Sequence, residues 1–290
     1  MKLLSVLLLF FCFFIPFTGC KKEEIVVVEG NVAPPDQTIE STTIENYVLK
    51  VHIALLGRKA TDAEFDAAVA LLKENSLSES SRLTMLNGIV SKTDFFENEF
   101  AIMRSNFLNN ADSSTFAGTK SIINLALSAT SNPVEIAFWE AELVRVDRLI
   151  LLEDQFSNQT KNSVEAHQVV VDNFVYDEIN MGAENYVVSL FQNFLLRYPT
   201  VEELEAGKAI FEGKSAILFT ENAKNRNELI TVFFNSNEYY EGQVRASFLR
   251  FLYREPTSNE ISLLLNQFKI NNNVAAIHTY ALSLDEYIGI

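Results

Sequence analysis

Three histidines, an abundance of carboxylates and a recurrent arginine are the side chains that could carry chemistry in this 290-residue chain. The stretch "LLRYPTVEEL", residues 195–204, sets Arg197 beside the paired acids Glu202 and Glu203. Gathered in a cleft, such a group would bind an anion or share a proton. His167 lies near Glu165 and Asp172. An imidazole among carboxylates suits metal binding or proton transfer, but Glu-x-His alone does not specify a metal. Glu140, Glu142, Asp147, Glu153 and Asp154 could supply the two carboxylates of an acid/base pair. A solvated helix face accounts for the same five. The sequence holds no Gly-x-Ser-x-Gly, Walker loop, His-Glu-x-x-His, Cys-x-x-Cys-His or Asp-rich calcium loop. On motifs, it assigns no catalytic residue, no metal and no cofactor.

The setting of Arg197 changes once the chain is compared with itself. "ENYVLKVHIALLGRKATDAEF" from Glu45, "ENYVVSLFQNFLLRYPTVEEL" from Glu184 and "EGQVRASFLRFLYREPTSNEI" from Glu241 align without gaps. Arg58, Arg197 and Arg254 fall at one position. Thr61, Thr200 and Thr257 follow three residues later, and Glu64, Glu203 and Glu260 three after that. Thr-x-x-Glu is a capping box: the hydroxyl accepts from the third helical N–H and the carboxylate accepts from the Thr N–H. Pro199 and Pro256 stop the preceding helix, with Ala60 in their place in the first copy. Phe65, Leu204 and Ile261 follow the capping acid and suit a hydrophobic staple. The arginines then serve to bond the last carbonyls of their helix, or to pair with an acid that opens a neighbouring unit, such as Glu184 or Glu241.

These signals predict an all-α chain of helix–turn–helix–helix repeat units with an all-helical insertion. Apolar residues Val187, Leu190, Phe191, Phe194 and Leu195 give a helix over 184–196. A second helix is predicted near 201–211 and a third near 222–234. A further echo closes the units: Ser91-Lys-Thr-Asp94-Phe95, Asn235-Ser-Asn-Glu238-Tyr239 and Ser283-Leu-Asp-Glu286-Tyr287, which resembles another capping step. The boundaries are 44–110 for the first unit plus a degenerate helix, 184–240 for the second and 241–290 for the third. In the degenerate helix Asn110 stands where the arginine belongs. Residues 111–183 form the insertion, with a polar loop over 109–118 and apolar helical stretches at 122–129 and 134–152.

The pattern of "LLxR", "PTxxEL" and a closing acid–aromatic step resembles the DUF4214 and phycobilisome-linker type of helical module. It is also similar to helical repeats of large exported proteins from Planctomycetes and Bacteroidota. The likeness covers residues 45–96 and 184–290 and implies a binding or scaffolding module. The chain lacks the Gly-rich, Trp-bearing middle of DUF4214 modules.

"MKLLSVLLLFFCFFIPFTGCKKEE" joins a basic start, an apolar run and small residues before a break, the layout of a secretory signal over residues 1–19. Phe17-Thr18-Gly19-Cys20 resembles the lipobox of bacterial lipoproteins, which implies acylation of Cys20. Lys21-Lys22-Glu23-Glu24 is similar to the surface-export tag of Bacteroidota lipoproteins. Residues 20–43 read as a tether, on Pro34-Pro35 and the missing helical period. With only 2 Cys, neither beyond Cys20, the processed chain holds no disulfide and no thiolate. The expected location is the outer membrane, anchored by lipid.

A formal net charge of −15 excludes nucleic acid as a partner, since phosphate binding needs clustered Lys and Arg. The expected partners are the membrane, through the acyl chains, and a protein or glycan of the envelope. His52 aligns with Phe191 and Phe248, and His278 with Ile230 and Leu86, so both read as core positions. "YDEINMGAENY", residues 176–186, is the one place where the sequence suggests a ligand edge, through Tyr176, Asp177, Asn180 and Tyr186. A hinge before the second unit explains the same residues. The alternatives to a binding module are a carboxylate-dependent envelope or glycan hydrolase sited in the insertion, and an accessory subunit of a secretion or uptake assembly.

Overall fold

The computed structural model describes residues 37–290, and the readings that rest on residues 1–36, Cys20 included, lie outside them. The described chain is all-α, with one small hairpin. Helix α1 spans Gln37–Leu56, α2 Asp62–Glu74, α3 Glu79–Val90 and α4 Thr93–Phe107. The former insertion holds α5 (Ser113–Ala129), α6 (Pro133–Ser157), α7 (Ser163–Val171) and α8 (Phe174–Ile179). Then come α9 (Gly182–Leu190), a π-helical turn (Phe191–Leu195), α10 (Val201–Phe211), strands β1 (Ala216–Leu218) and β2 (Glu221–Ala223), and α11 (Arg226–Asn235). The last four helices are α12 (Asn237–Leu252), α13 (Ser258–Asn271), α14 (Ala275–Ser283) and α15 (Asp285–Ile288).

Several boundaries depart from the sequence reading. Helix α1 begins inside the stretch assigned to the tether. Its buried face, Ile44, Tyr47, Val48, Val51 and Leu55, anchors it, and helix growth from an anchored turn needs no apolar period of its own. The loop expected over 109–118 is mostly helix, because the Asp112 carboxylate caps α5 by accepting from the Thr115 N–H at 3.0 Å. The helix expected from residue 222 starts at Arg226, capped by Asn225. Before it, Ala216, Ile217 and Leu218 pair antiparallel with Ala223, Asn222 and Glu221. That hairpin turns through Phe219 and Thr220, both at positive φ (49° and 72°). Neither residue type favours such a turn, which hid it from the sequence.

Four helices carry an aligned acid: Glu45 in α1, Glu97 in α4, Glu184 in α9 and Glu241 in α12. Twelve residues on, each chain segment turns left-handed, at Gly57 (φ 65°), Asn109 (48°), Leu196 (58°) and Tyr253 (54°). The π turn, α11 and α12 bring together an aromatic core in which Phe191, Phe194, Phe233, Phe234 and Tyr239 are nearly or wholly buried, with Phe107 of α4 stacked on Phe194. Their mostly edge-to-face contacts, such as Phe194–Phe234 at 5.0 Å between centroids, suit the ring quadrupole. Gly242 fixes how closely α12 crosses the π turn. A Cβ there would lie 2.0 Å from the Phe194 carbonyl oxygen, so no side chain fits.

Candidate functional site

The arginine–threonine–glutamate sets are the first candidates, and all three are closed on themselves. Each Thr is an N-cap with both bonds of the capping box, to Glu64, Glu203 and Glu260. Arg197 Nη1 and Nη2 donate to Glu203 Oε2 and Oε1 at 2.7 and 2.6 Å. The remaining N–H groups of Arg197 go to both oxygens of Glu238 and to the Tyr198 carbonyl. Arg58 makes the same set with Glu64, Asp94 and the Lys59 carbonyl. Arg254 makes it with Glu260, Glu286 and the Glu255 carbonyl. All five donors of Arg58 and of Arg197 thus meet acceptors within the fold, and four of the five on Arg254 do.

This corrects the expected partner. The acid is neither Glu184 nor Glu241 but the acid of the closing echo, held in the first turn of the next helix. The echo is also less of a cap than expected. Only Ser236 bonds a helix N–H, while Lys92 and Leu284 make no side-chain cap. The arginine hydrogen bonds hold the three capping carboxylates well below the usual range, Glu260 at about 2. A carboxylate so strongly held as an anion does not transfer protons near neutral pH. All nine of these Arg, Thr and Glu residues were read from the sequence as structural positions, and each bonds within its capping box or clamp.

The ligand edge at residues 176–186 is not present. Tyr176 and Tyr186 are fully buried, edge-to-face at 5.6 Å between centroids. The Tyr176 hydroxyl meets Ser189 Oγ at 2.8 Å, and the Tyr186 hydroxyl donates to the Val171 carbonyl at 3.1 Å. Burial pushes the Tyr176 phenol up to about 12. Asp177 accepts from Arg145 and Arg226, and Asn180 donates back to the Tyr176 carbonyl. Arg226 also stacks over the Tyr186 ring at 4.5 Å. The polar residues of this segment lock α8 to α6 and α11.

The insertion carboxylates do not share a cleft. Glu140, Glu153 and Asp154 are exposed along α6. Glu142 pairs with Arg145 and Asp147 with Lys120. Among the described residues, no group of three or more His, Cys, Asp or Glu is placed to hold a metal ion. His52 is buried and donates from Nδ1 to the Val48 carbonyl at 2.9 Å. It occupies the place where Phe191 and Phe248 lie under Arg197 and Arg254. Burial lowers its pKa, and the nearby Lys92 and Arg58 push the same way.

His167 and His278 are core residues too, but they share something the sequence did not reveal. Both line one cavity of about 340 Å³, with Glu99, Asn106, Phe107, Asn193, Gln243 and Arg250 among its walls. Ile102 and Arg250 continue into a larger groove of about 690 Å³, lined by Ile53, Ala54, Asn98, Phe251, Tyr253 and Tyr287. Both volumes lie in the roughly 300–1,000 Å³ range of ligand sites. On the floor, Glu99 accepts from Arg250 Nη1 at 2.9 Å, and Arg250 Nη2 donates to the Ala54 carbonyl at 2.9 Å. His278 Nδ1 lies 3.8 Å from Glu99 Oε1 and has no hydrogen-bond partner, although the side chain is buried. Burial lowers His278 to about 4, so it is neutral at pH 7. His167 is neutral as well, held down by burial to about 3, with Nδ1 at 2.7 Å from the Tyr239 hydroxyl.

The four helices that carry the aligned acid frame this groove. The residue nine places after that acid faces it every time: Ala54, Asn106, Asn193 and Arg250. One readable signal pointed here. Glu99 lies on the apolar stripe of α4 with Phe96, Phe100 and Met103, where a carboxylate must find a buried partner. The partner, Arg250, is 151 residues away, and no spacing rule connects them. No family model, no curated protein and no solved structure matches this chain.

Proposed function

We propose that this protein is a non-catalytic binding or scaffolding module of the bacterial cell envelope, lipid-anchored at Cys20 to the outer membrane. In this reading the helices that carry Glu45, Glu184 and Glu241 open repeated units, and the groove they frame with α4 is where the partner docks. The observation that carries it is the contrast in lining. In the three units position thirteen after the aligned acid is an arginine bound within the fold, whereas position nine is Ala54, Asn193 or Arg250 and faces the groove, as Asn106 of α4 does. A common frame holding a varied lining is the arrangement expected of a binding surface. The lipobox-like Cys20 and the Lys21-Lys22-Glu23-Glu24 tag support the location. Among the described residues no helix is long and apolar enough to cross a membrane.

The test separates anchor from groove. Wild-type protein and the Cys20→Ala form, each expressed in the native type of host, are fractionated into soluble and membrane pools. The reading expects the wild type in outer-membrane fractions and Cys20→Ala in the soluble pool. Equal membrane association of both forms sinks the lipid anchor.

A further inference from the structure

Resting on the groove as the binding site, we infer that its ligand is a neutral glycan, with a sugar hydroxyl between His278 and Glu99 and a sugar ring against Tyr253. The floor supplies the first half. Glu99 and Arg250 neutralise one another at 2.9 Å, so the floor presents no net charge to a charged ligand. Buried beside them, His278 Nδ1 is without a partner and 3.8 Å from Glu99 Oε1. A hydroxyl serves both groups at once, accepting from the imidazole N–H and donating to the carboxylate. The same cavity is lined by the amides of Asn106, Asn193 and Gln243, of which Asn193 and Gln243 each give one N–H to the Tyr176 hydroxyl and the Phe194 carbonyl and keep their amide oxygens as acceptors. A sugar edge, where each oxygen can donate and accept, complements such a lining.

Tyr253 supplies the second half. It is 89% exposed at the groove wall and holds a left-handed backbone, φ 54°, where the first aligned copy has Gly57. A large residue in that conformation costs about 1–2 kcal/mol, and exposure this high offers no packing in return. Strain of this kind points to a use outside the fold. An exposed phenol ring offers an apolar face with a polar tip, suited to the C–H face of a sugar. Ile53, 53% exposed, extends that apolar wall. A peptide fits less well. The walls are helices whose backbone groups are already paired, so no strand edge is offered, and an amphipathic helix would set apolar anchors on a polar floor.

The test is calorimetric titration of the full chain with a panel of neutral tetrasaccharides of glucose, galactose, mannose and N-acetylglucosamine. Tyr253→Gly is run beside it because glycine suits φ 54°, so this variant keeps its fold. At least one tetrasaccharide is expected to bind, and Tyr253→Gly is expected to weaken it tenfold or more at an undiminished melting temperature. His278→Leu is expected to weaken the same tetrasaccharide. Silence of the whole panel overturns the glycan assignment. If a random peptide pool then binds in a Tyr253-dependent way, the groove reading survives with a peptide as ligand. Tetrasaccharide binding that neither substitution alters overturns the placement in this groove.

Discussion

Arg250 and Arg254 lie four residues apart at the end of α12, and each faces a glutamate, yet the two ion pairs differ in kind. Arg254 is clamped by Glu260 and Glu286, six and 32 residues away, at a helix junction open to solvent. The same clamp recurs at Arg58 and Arg197, with Asp94 in place of the second glutamate at Arg58. Arg250 reaches Glu99 across 151 residues, in the floor of a groove, and its aligned positions are Ala54 and Asn193. What recurs along the chain holds helix to helix. What departs from the recurrence collects at one place. The difference locates candidate function without any catalytic motif, because a residue freed from the common structural duty is free to serve another.

The comparison breaks most directly at Glu99. Replacing it by alanine strips Arg250 of its carboxylate and leaves its Ala54 carbonyl bond, in a half-buried site. A loss of about 2–3 kcal/mol is expected in urea unfolding. Glu99→Gln keeps the shape and should recover part of that loss. An unchanged midpoint for Glu99→Ala would mean that the floor pair contributes nothing to the fold.

Acid should separate the two regions by pH. His167 and His278 have folded pKa values of about 3 and about 4, below the 6.5 of the unfolded chain. Their contribution is therefore complete above pH 6.5 and is lost as pH falls toward 4, since the unfolded state binds protons first. Each histidine costs about 1.4 kcal/mol per pH unit inside that window. The clamp carboxylates are depressed below 4.5, so their contribution is intact above 4.5 and is lost on falling toward about 2, the value for Glu260. Melting temperatures should thus begin to drop below pH 6.5, before the clamps titrate. A curve flat from pH 7 to 5 would contradict the buried neutral imidazoles.

The capping boxes were legible in the sequence because capping chemistry is local, whereas the arginines' second acids, 36, 41 and 32 residues away, were not. Thr200 and Glu203 are three residues apart, and both bonds of the box form within one helix turn. Thr200→Ala should cost about 1 kcal/mol by thermal melts, while tetrasaccharide binding stays unchanged. The all-α class was legible for the same reason, through short-range periodicity. The floor was not, because Glu99, Arg250 and His278 come from three helices distant in sequence. Tyr176 and Tyr186 misled, since polar and aromatic residues around a Gly read as an exposed edge. Their hydroxyls in fact find partners inside the core, at Ser189 and Val171.

Leu196 and Tyr253 sharpen the comparison at its smallest energy. Both hold left-handed backbone at the aligned position where Gly57 stands, with φ 58° and 54°. Leu196 is 43% exposed and is not part of the groove wall, whereas Tyr253 is. Glycine relieves the strain at either site but makes the unfolded chain more flexible, so the net gain for each is about 0.5–1 kcal/mol. Leu196→Gly and Tyr253→Gly should therefore raise the melting temperature by similar amounts. Only Tyr253→Gly should lose tetrasaccharide binding. If both variants bind like the wild type, the strain at Tyr253 is a feature of the helix end alone, shared with Leu196, and the ring has no role in the groove.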